Sequence, residues 1–247
     1  MPKPAIVRFD PKAETMPLPD FTSADVEEGT KSQRDLTWID DKSCGLKAGI
    51  WEAGAFISPW INYPADDFML VLEGEIIVIE EEKESRAGPG ECLVIPKGTR
   101  CRYLQKTHVR KFFVYVGNLE DQVAPSGLTA IKIDTAVPLL PSPPPSPEML
   151  HSPVPLQHAH EFFKDETGQF TVGVWQTTGY HRKLIDFPRH ELMHLLEGSV
   201  TFTDDKGATQ TFRAGDTFFV PLGTPNSWKS EGNVRKIYCI FQPRSVG

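Results

Sequence analysis

Residues 173–203 read GVWQTTGYHRKLIDFPRHELMHLLEGSVTFT, and residues 49–79 read GIWEAGAFISPWINYPADDFMLVLEGEIIVI. The two stretches align without a gap, Gly49 on Gly173, Trp51 on Trp175 and Leu72-Glu73-Gly74 on Leu196-Glu197-Gly198. After a slip of one residue, GECLVIPKGT (90–99) falls on GDTFFVPLGT (215–224), and HVRKFFVYV (108–116) on NVRKIYCIF (233–241). A chain that repeats itself over this length carries two copies of one folding unit.

Both copies are short runs rich in Val, Ile, Phe and Tyr, broken by Gly, Pro and Asp, which predicts strands. Gly74 and Gly198 stand at sharp turns that favour a residue without a Cβ. Pro96-x-Gly98 and Pro221-x-Gly223 combine a preset φ with a permissive one, so each predicts a turn. Many short strands with regular turns predict an all-β chain of two tandem jelly-roll barrels. The expected domains are an extended N-terminal arm (1–35), a first barrel (36–120), a proline-rich linker (121–157) and a second barrel (158–247). The linker sequence VPLLPSPPPSPEMLHSPVP predicts a semi-rigid polyproline II connector.

The 247 residues carry a net charge of -7 and no basic cluster, which argues against nucleic acid. No apolar run reaches the ~18 residues of a membrane span, and MPKPAIVRFDPK holds no apolar signal core. The four cysteines form no CxxC pair, so a reducing cytoplasm is expected.

Alternation along a strand decides which side chains share a cavity. If Ile185 points inward, Phe187, Glu191, Met193, Asn226 and Trp228 follow, and in the first copy Ile61, Tyr63, Asp67, Met69, Cys101 and Tyr103. Each cavity then holds one acidic residue, Asp67 or Glu191. Parity turns His190 and His194 away from Glu191, whereas His181 is in phase with Ile185 and is expected near the barrel mouth. His158 and His160 are expected in a solvated loop, and the Arg110-Lys111 and Arg235-Lys236 pairs at solvated strand ends. Cys101 is expected to be buried and inert.

These paired blocks resemble the cupin branch that includes the (S)-ureidoglycine aminohydrolases and the ethanolamine-utilisation EutQ-like proteins, over residues ~45–117 and ~169–242. The resemblance implies a homodimer. It also implies that the manganese slots of the aminohydrolases (Glu, His, His and Gln) fall on Ile185, Phe187, Glu191 and Asn226. The leading expectation is an enzyme that takes a small carboxylate- or amide-bearing metabolite into a barrel and has no tightly bound cofactor. Glu191, or Asp67 with Tyr63, would serve as acid or base in a lyase, isomerase or hydrolase step. Ile61, Cys101, Tyr103, His181, Ile185, Phe187, Met193, Asn226 and Trp228 would contact the ligand. The alternatives are a non-catalytic sensor, or Mn, Fe, Zn or Ni held by Glu191 with His181.

Overall fold

A computed structural model describes residues 3–117 and 128–244. The chain divides into two compact units, Asp10–Ile133 and Met1–Phe9 with Asp134–Gly247. Both are jelly-roll barrels made of antiparallel strands, and the one helical piece among the described residues is a 3-10 turn, Pro147–Met149.

In the N-terminal unit a seven-stranded sheet runs in the order Ile131–Lys132, Cys92–Ile95, Ala65–Glu73, Val109–Gly117, Leu46–Ala53, Gln33–Asp41, Met16–Pro17. The C-terminal unit repeats it as Val7–Phe9, Thr217–Val220, His190–Glu197, Val234–Phe241, Phe170–Thr177, Gln157–Lys164, Leu140–Ser142. A second sheet faces each, built in the C-terminal unit from Tyr180–Asp186, Pro225–Ser230, Ser199–Thr203 and Thr209–Arg213. The edge strand Val7–Phe9 comes from the chain's beginning, and its Phe9 is buried, stacked 6.3 Å from Phe219.

The same bulge recurs in both copies. The register jumps from Glu73↔Arg110 to Val71↔Lys111, and from Glu197↔Arg235 to Leu195↔Lys236. An extra residue on one strand re-aims the side chains around it. The extra residue is Leu72 or Leu196 on the facing strand, and the Arg-Lys neighbours opposite it take opposite faces by ordinary alternation. Arg110 leaves the cavity to bond Glu52 at 2.7 Å and the Pro11 carbonyl at 3.0 Å. Arg235 likewise bonds Gln176 at 2.9 Å and the Thr135 carbonyl at 2.7 Å. Each guanidinium thus ties down the segment that leads into its own barrel. Lys111 and Lys236 turn inward and are buried, so neither pair is a solvated strand end.

Part of the expected linker, residues 121–127, lies outside the described residues. The rest is more than a connector. Leu140–Ser142 pairs with Gln157–Lys164, and Leu150 is buried in the C-terminal core. His158 and His160 sit in that strand rather than in a loop, with the His160 ring 4.6 Å from Phe162. Apolar side chains spaced through the prolines give this segment a surface to bury, and burial outweighs the freedom of a spacer.

Candidate functional site

The N-terminal barrel holds an open cavity of about 820 Å³ whose wall includes Ile61, Tyr63, Asp67, Tyr103, Lys111 and Tyr115. Phe21, from the expected arm, joins the wall and packs 5.2 Å from Phe56. Asp67 comes from the strand Ala65–Glu73 and lies opposite Tyr115 on the strand Val109–Gly117. The Tyr63 hydroxyl donates to Asp67 Oδ2 at 2.7 Å. Lys111 Nζ stands 3.8 Å from the same oxygen, too far for a good hydrogen bond. The ammonium group is otherwise surrounded by soft partners: Met69 Sδ at 2.9 Å, the Trp51 ring at 5.0 Å and the Tyr103 ring at 5.4 Å.

Two polar atoms there are buried without a hydrogen-bond partner among the described residues, Asp67 Oδ1 and the Tyr103 hydroxyl. Burial pushes the Asp67 carboxyl above its ordinary range, although Lys111 and Tyr63 pull it down. Burial also pulls Lys111 below the ordinary amine range against the pull of Asp67, and lifts Tyr63 and Tyr103 far above the usual phenol range. Both shifts of the Asp67–Lys111 pair point toward its neutral forms. Cys101 does not join this wall. It is fully buried in the core, opposite Ile61, and burial pushes its thiol up to about 12. That is the chemistry of an inert side chain.

The C-terminal cavity measures about 460 Å³ and is lined by the equivalent residues Ile185, Phe187, Glu191, Met193, Trp228 and Lys236, together with Arg182 and Arg189. Here the ion pair is closed. Lys236 Nζ donates to Glu191 Oε1 at 2.6 Å, and Arg189 Nε to Oε2 at 2.9 Å. Burial pushes the Glu191 carboxyl up, but Lys236 and Arg189 together outweigh it and hold the group below the ordinary range.

Two residues expected at this site are elsewhere. An extra residue in Tyr180–Asp186 sets Arg182 opposite Trp228 and Ile185 opposite Asn226, so strand parity inverts between them. His181 therefore looks outward, its ring 4.8 Å from His151, and Arg182 takes the inward position. Asn226 is spent on structure, accepting from Arg182 at 2.6 Å and donating to the Thr224 carbonyl at 2.8 Å. The slots that the aminohydrolase resemblance assigns to manganese do not fit a transition metal. Ile185 and Phe187 offer no donor atom, Asn226 is engaged, and an ammonium already occupies the cation position on Glu191.

His190 and His194 are not part of this wall. The Leu222 N–H donates to His190 Nδ1 at 3.3 Å, and His194 Nδ1 shares a hydrogen bond with Thr217 at 2.8 Å. Burial drags the His194 imidazole down to about 4. A folded-state pKa below the unfolded 6.5 means that the unfolded chain binds the proton first, so stability falls as pH drops through that window. We expect about 3 kcal/mol of acid sensitivity between pH 6.5 and 4 from this group. Urea titrations should show a flatter profile in His194→Gln. An unchanged profile would place the sensitivity elsewhere.

The EutQ-like cupin domain profile matches residues 42–113 and 164–238. The chain belongs to the EutQ-like cupin family. No curated protein matches it. A DUF861-family protein of unknown function from Pseudomonas syringae pv. tomato is similar over 96% of this chain and 100% of its own, at 27% identity and a TM-score of 0.79. Ylba from E. coli, also DUF861, covers 98% of this cupin and 93% of itself at 13% identity and a TM-score of 0.56. A salicylate 1,2-dioxygenase from Pseudaminobacter salicylatoxidans covers 85% and 76% at 14% identity and a TM-score of 0.53. The last two likenesses concern the fold alone.

Sequence reasoning missed Lys111, Lys236, Arg182 and Arg189. The two lysines carried a readable signal, because Val-Arg-Lys recurs at the same place in both copies. No helix among the described residues is long and apolar enough to cross a membrane.

Proposed function

We propose that this cupin is an acid–base enzyme whose working site is the N-terminal cavity, acting on a small carboxylate- or amide-bearing metabolite. The observation that carries this reading is Asp67, a residue of the cavity wall whose buried Oδ1 has no hydrogen-bond partner among the described residues. A buried polar atom left unpaired is costly, and in a cavity the natural partner is a ligand. A carboxyl whose burial raises its pKa above the usual range holds a proton more readily than an exposed one, which suits it to acid–base work. Asp67 takes or gives the proton, Tyr63 fixes its orientation through Oδ2, and the Tyr103 hydroxyl donates to the developing negative charge. The reaction class is a lyase, isomerase or hydrolase step. The four free thiols support the cytoplasm as its compartment.

One observation favours a second reading, a binding site in the C-terminal barrel. Arg182, Arg189 and Lys236 line that cavity against the single carboxylate Glu191. The excess positive charge suits a small organic anion held without turnover.

A thermal-shift screen of small carboxylic acids and primary amides separates the two, with turnover of each hit followed by NMR. The expected hit is consumed, loses at least about tenfold in affinity in Asp67→Asn (about 1.4 kcal/mol), and survives Arg182→Met. A hit lost in Arg182→Met and kept in Asp67→Asn would move the site to the C-terminal barrel.

A further inference from the structure

The duplication supplies its own control for a buried lysine. Lys236 and Lys111 occupy equivalent places, each over a tryptophan (Trp175 at 4.8 Å, Trp51 at 5.0 Å) and each against a methionine sulfur. Lys236 is locked, with Glu191 Oε1 at 2.6 Å. Lys111 is not: its carboxylate is 3.8 Å away and has already accepted the Tyr63 hydroxyl on the facing oxygen. Burial lowers the pKa of both lysines, but at Lys236 the closed contact with Glu191 opposes it. Lys111 is a desolvated amine on the wall of an 820 Å³ cavity, with an unpartnered carboxyl oxygen beside it.

We propose that Lys111 is a nucleophile that forms an imine with a small aldehyde or 2-oxo acid entering the N-terminal barrel, with Asp67 as proton donor. This deepens the acid–base reading of the same cavity and rests on it. The neutral amine attacks the carbonyl carbon, and a C–N bond forms as the carbonyl π pair moves to oxygen. The amine proton passes to that oxygen and gives a carbinolamine. The protonated Asp67 then donates to the hydroxyl, the C–O bond breaks, and water leaves. An iminium remains, paired with the Asp67 carboxylate; no oxidant or reductant takes part. Burial favours both starting forms, the uncharged amine and the protonated carboxyl. The aromatic wall of Trp51 and Tyr103 then faces the iminium cation, an interaction it already offers the ammonium.

The test uses the unaltered full-length protein with glyoxylate and cyanoborohydride at about pH 6, where ordinary lysines are protonated and slow to react. Hydride reduces any imine to a carboxymethyl amine, which peptide mapping locates. Lys111 should be labelled at least tenfold faster than every other lysine, with Lys236 left unlabelled. Labelling of Lys111 no faster than that of the exposed Lys106 and Lys206 would overturn the proposal. In Asp67→Asn the labelling rate should fall about tenfold; an unchanged rate would remove Asp67 as the donor. The two readings fail separately. If Lys111 stays unlabelled while Asp67→Asn still abolishes the screened hit, the imine falls and the acid–base site stands. If Lys111 is labelled selectively while Asp67→Asn leaves turnover intact, the reverse holds.

Discussion

Glu191→Gln should lower the unfolding free energy by about 3–5 kcal/mol, whereas Asp67→Asn should change it by about 1 kcal/mol or less. The two substitutions are chemically the same exchange at equivalent positions, so the difference measures surroundings rather than residue type. Glu191 is 1% exposed, and each of its oxygens holds a cation. Glutamine keeps the volume, so no hole is made, but it leaves the buried Lys236 and the partly covered Arg189 facing a neutral amide. Removing one member of a buried pair is costly because the survivor's charge has no answer. Asp67 stands in the opposite condition. Its nearest cation is beyond hydrogen-bond reach and its burial already disfavours ionisation. An asparagine oxygen still accepts the Tyr63 hydroxyl, so that contact is weakened rather than lost. The pH dependence has a definite sign. Glu191 is held below its ordinary 4.5, so its contribution is present above that value and fades as pH falls through the folded-state pKa. The gap between wild type and Glu191→Gln in urea titrations should therefore narrow under acid. Equal losses in the two variants at pH 7 would mean that the open and closed pairs are energetically alike.

That contrast also marks how far the chemistry could be read from the chain. The barrels were legible because their evidence is repetitive: two copies of one pattern, with glycine and proline in register, describe one architecture twice. The positions of Asp67, Tyr63, Glu191 and Phe187 on the cavity walls follow from counting by twos along a strand. Counting fails at a bulge. His181 and Arg182 exchange faces because a single added residue precedes Ile185. Nothing in HRKLI announces that residue, since its cause lies in the pairing with Pro225–Ser230. The lysines were a different kind of miss. Lys111 lies two residues from Phe113, which pairs with Met69, so the parity argument used for Met69 reaches it directly. A charged residue at a strand end reads as solvated by default, and only the facing carboxylate overrides that default. Cys101 shows the limit of parity in the other direction, since the inward face of a barrel includes packed core as well as cavity wall.

Gly198→Ala should destabilise the C-terminal barrel by more than about 4 kcal/mol, and Gly223→Ala by only about 1–2. Both glycines have the same positive φ, +78, so the penalty that a positive φ sets on an L-residue is shared. What differs is what a side chain would meet. At Gly223 a Cβ finds open space, while at Gly198 it lands 2.0 Å from the Asn233 carbonyl oxygen. That contact is backbone on backbone, so no rotamer change relieves it, and the strand Val234–Phe241 has to move. The N-terminal copy repeats the arrangement, with Gly74 at φ +77 and a Cβ 2.2 Å from the His108 oxygen. In both barrels the approached residue immediately precedes the Val-Arg-Lys strand that carries the inward lysine. The glycine in Leu-Glu-Gly thus lets the strand Val234–Phe241 come close enough for Lys236 to reach Glu191. Chemical unfolding of the two variants would test this, and equal losses would show that the close approach carries no energetic weight. The ion pair supplies an independent gauge, because a strand displaced at Asn233 also lengthens the 2.6 Å contact between Lys236 and Glu191. Gly198→Ala should therefore blunt the acid dependence that Glu191 confers, and Gly223→Ala should leave it as it is in the wild type.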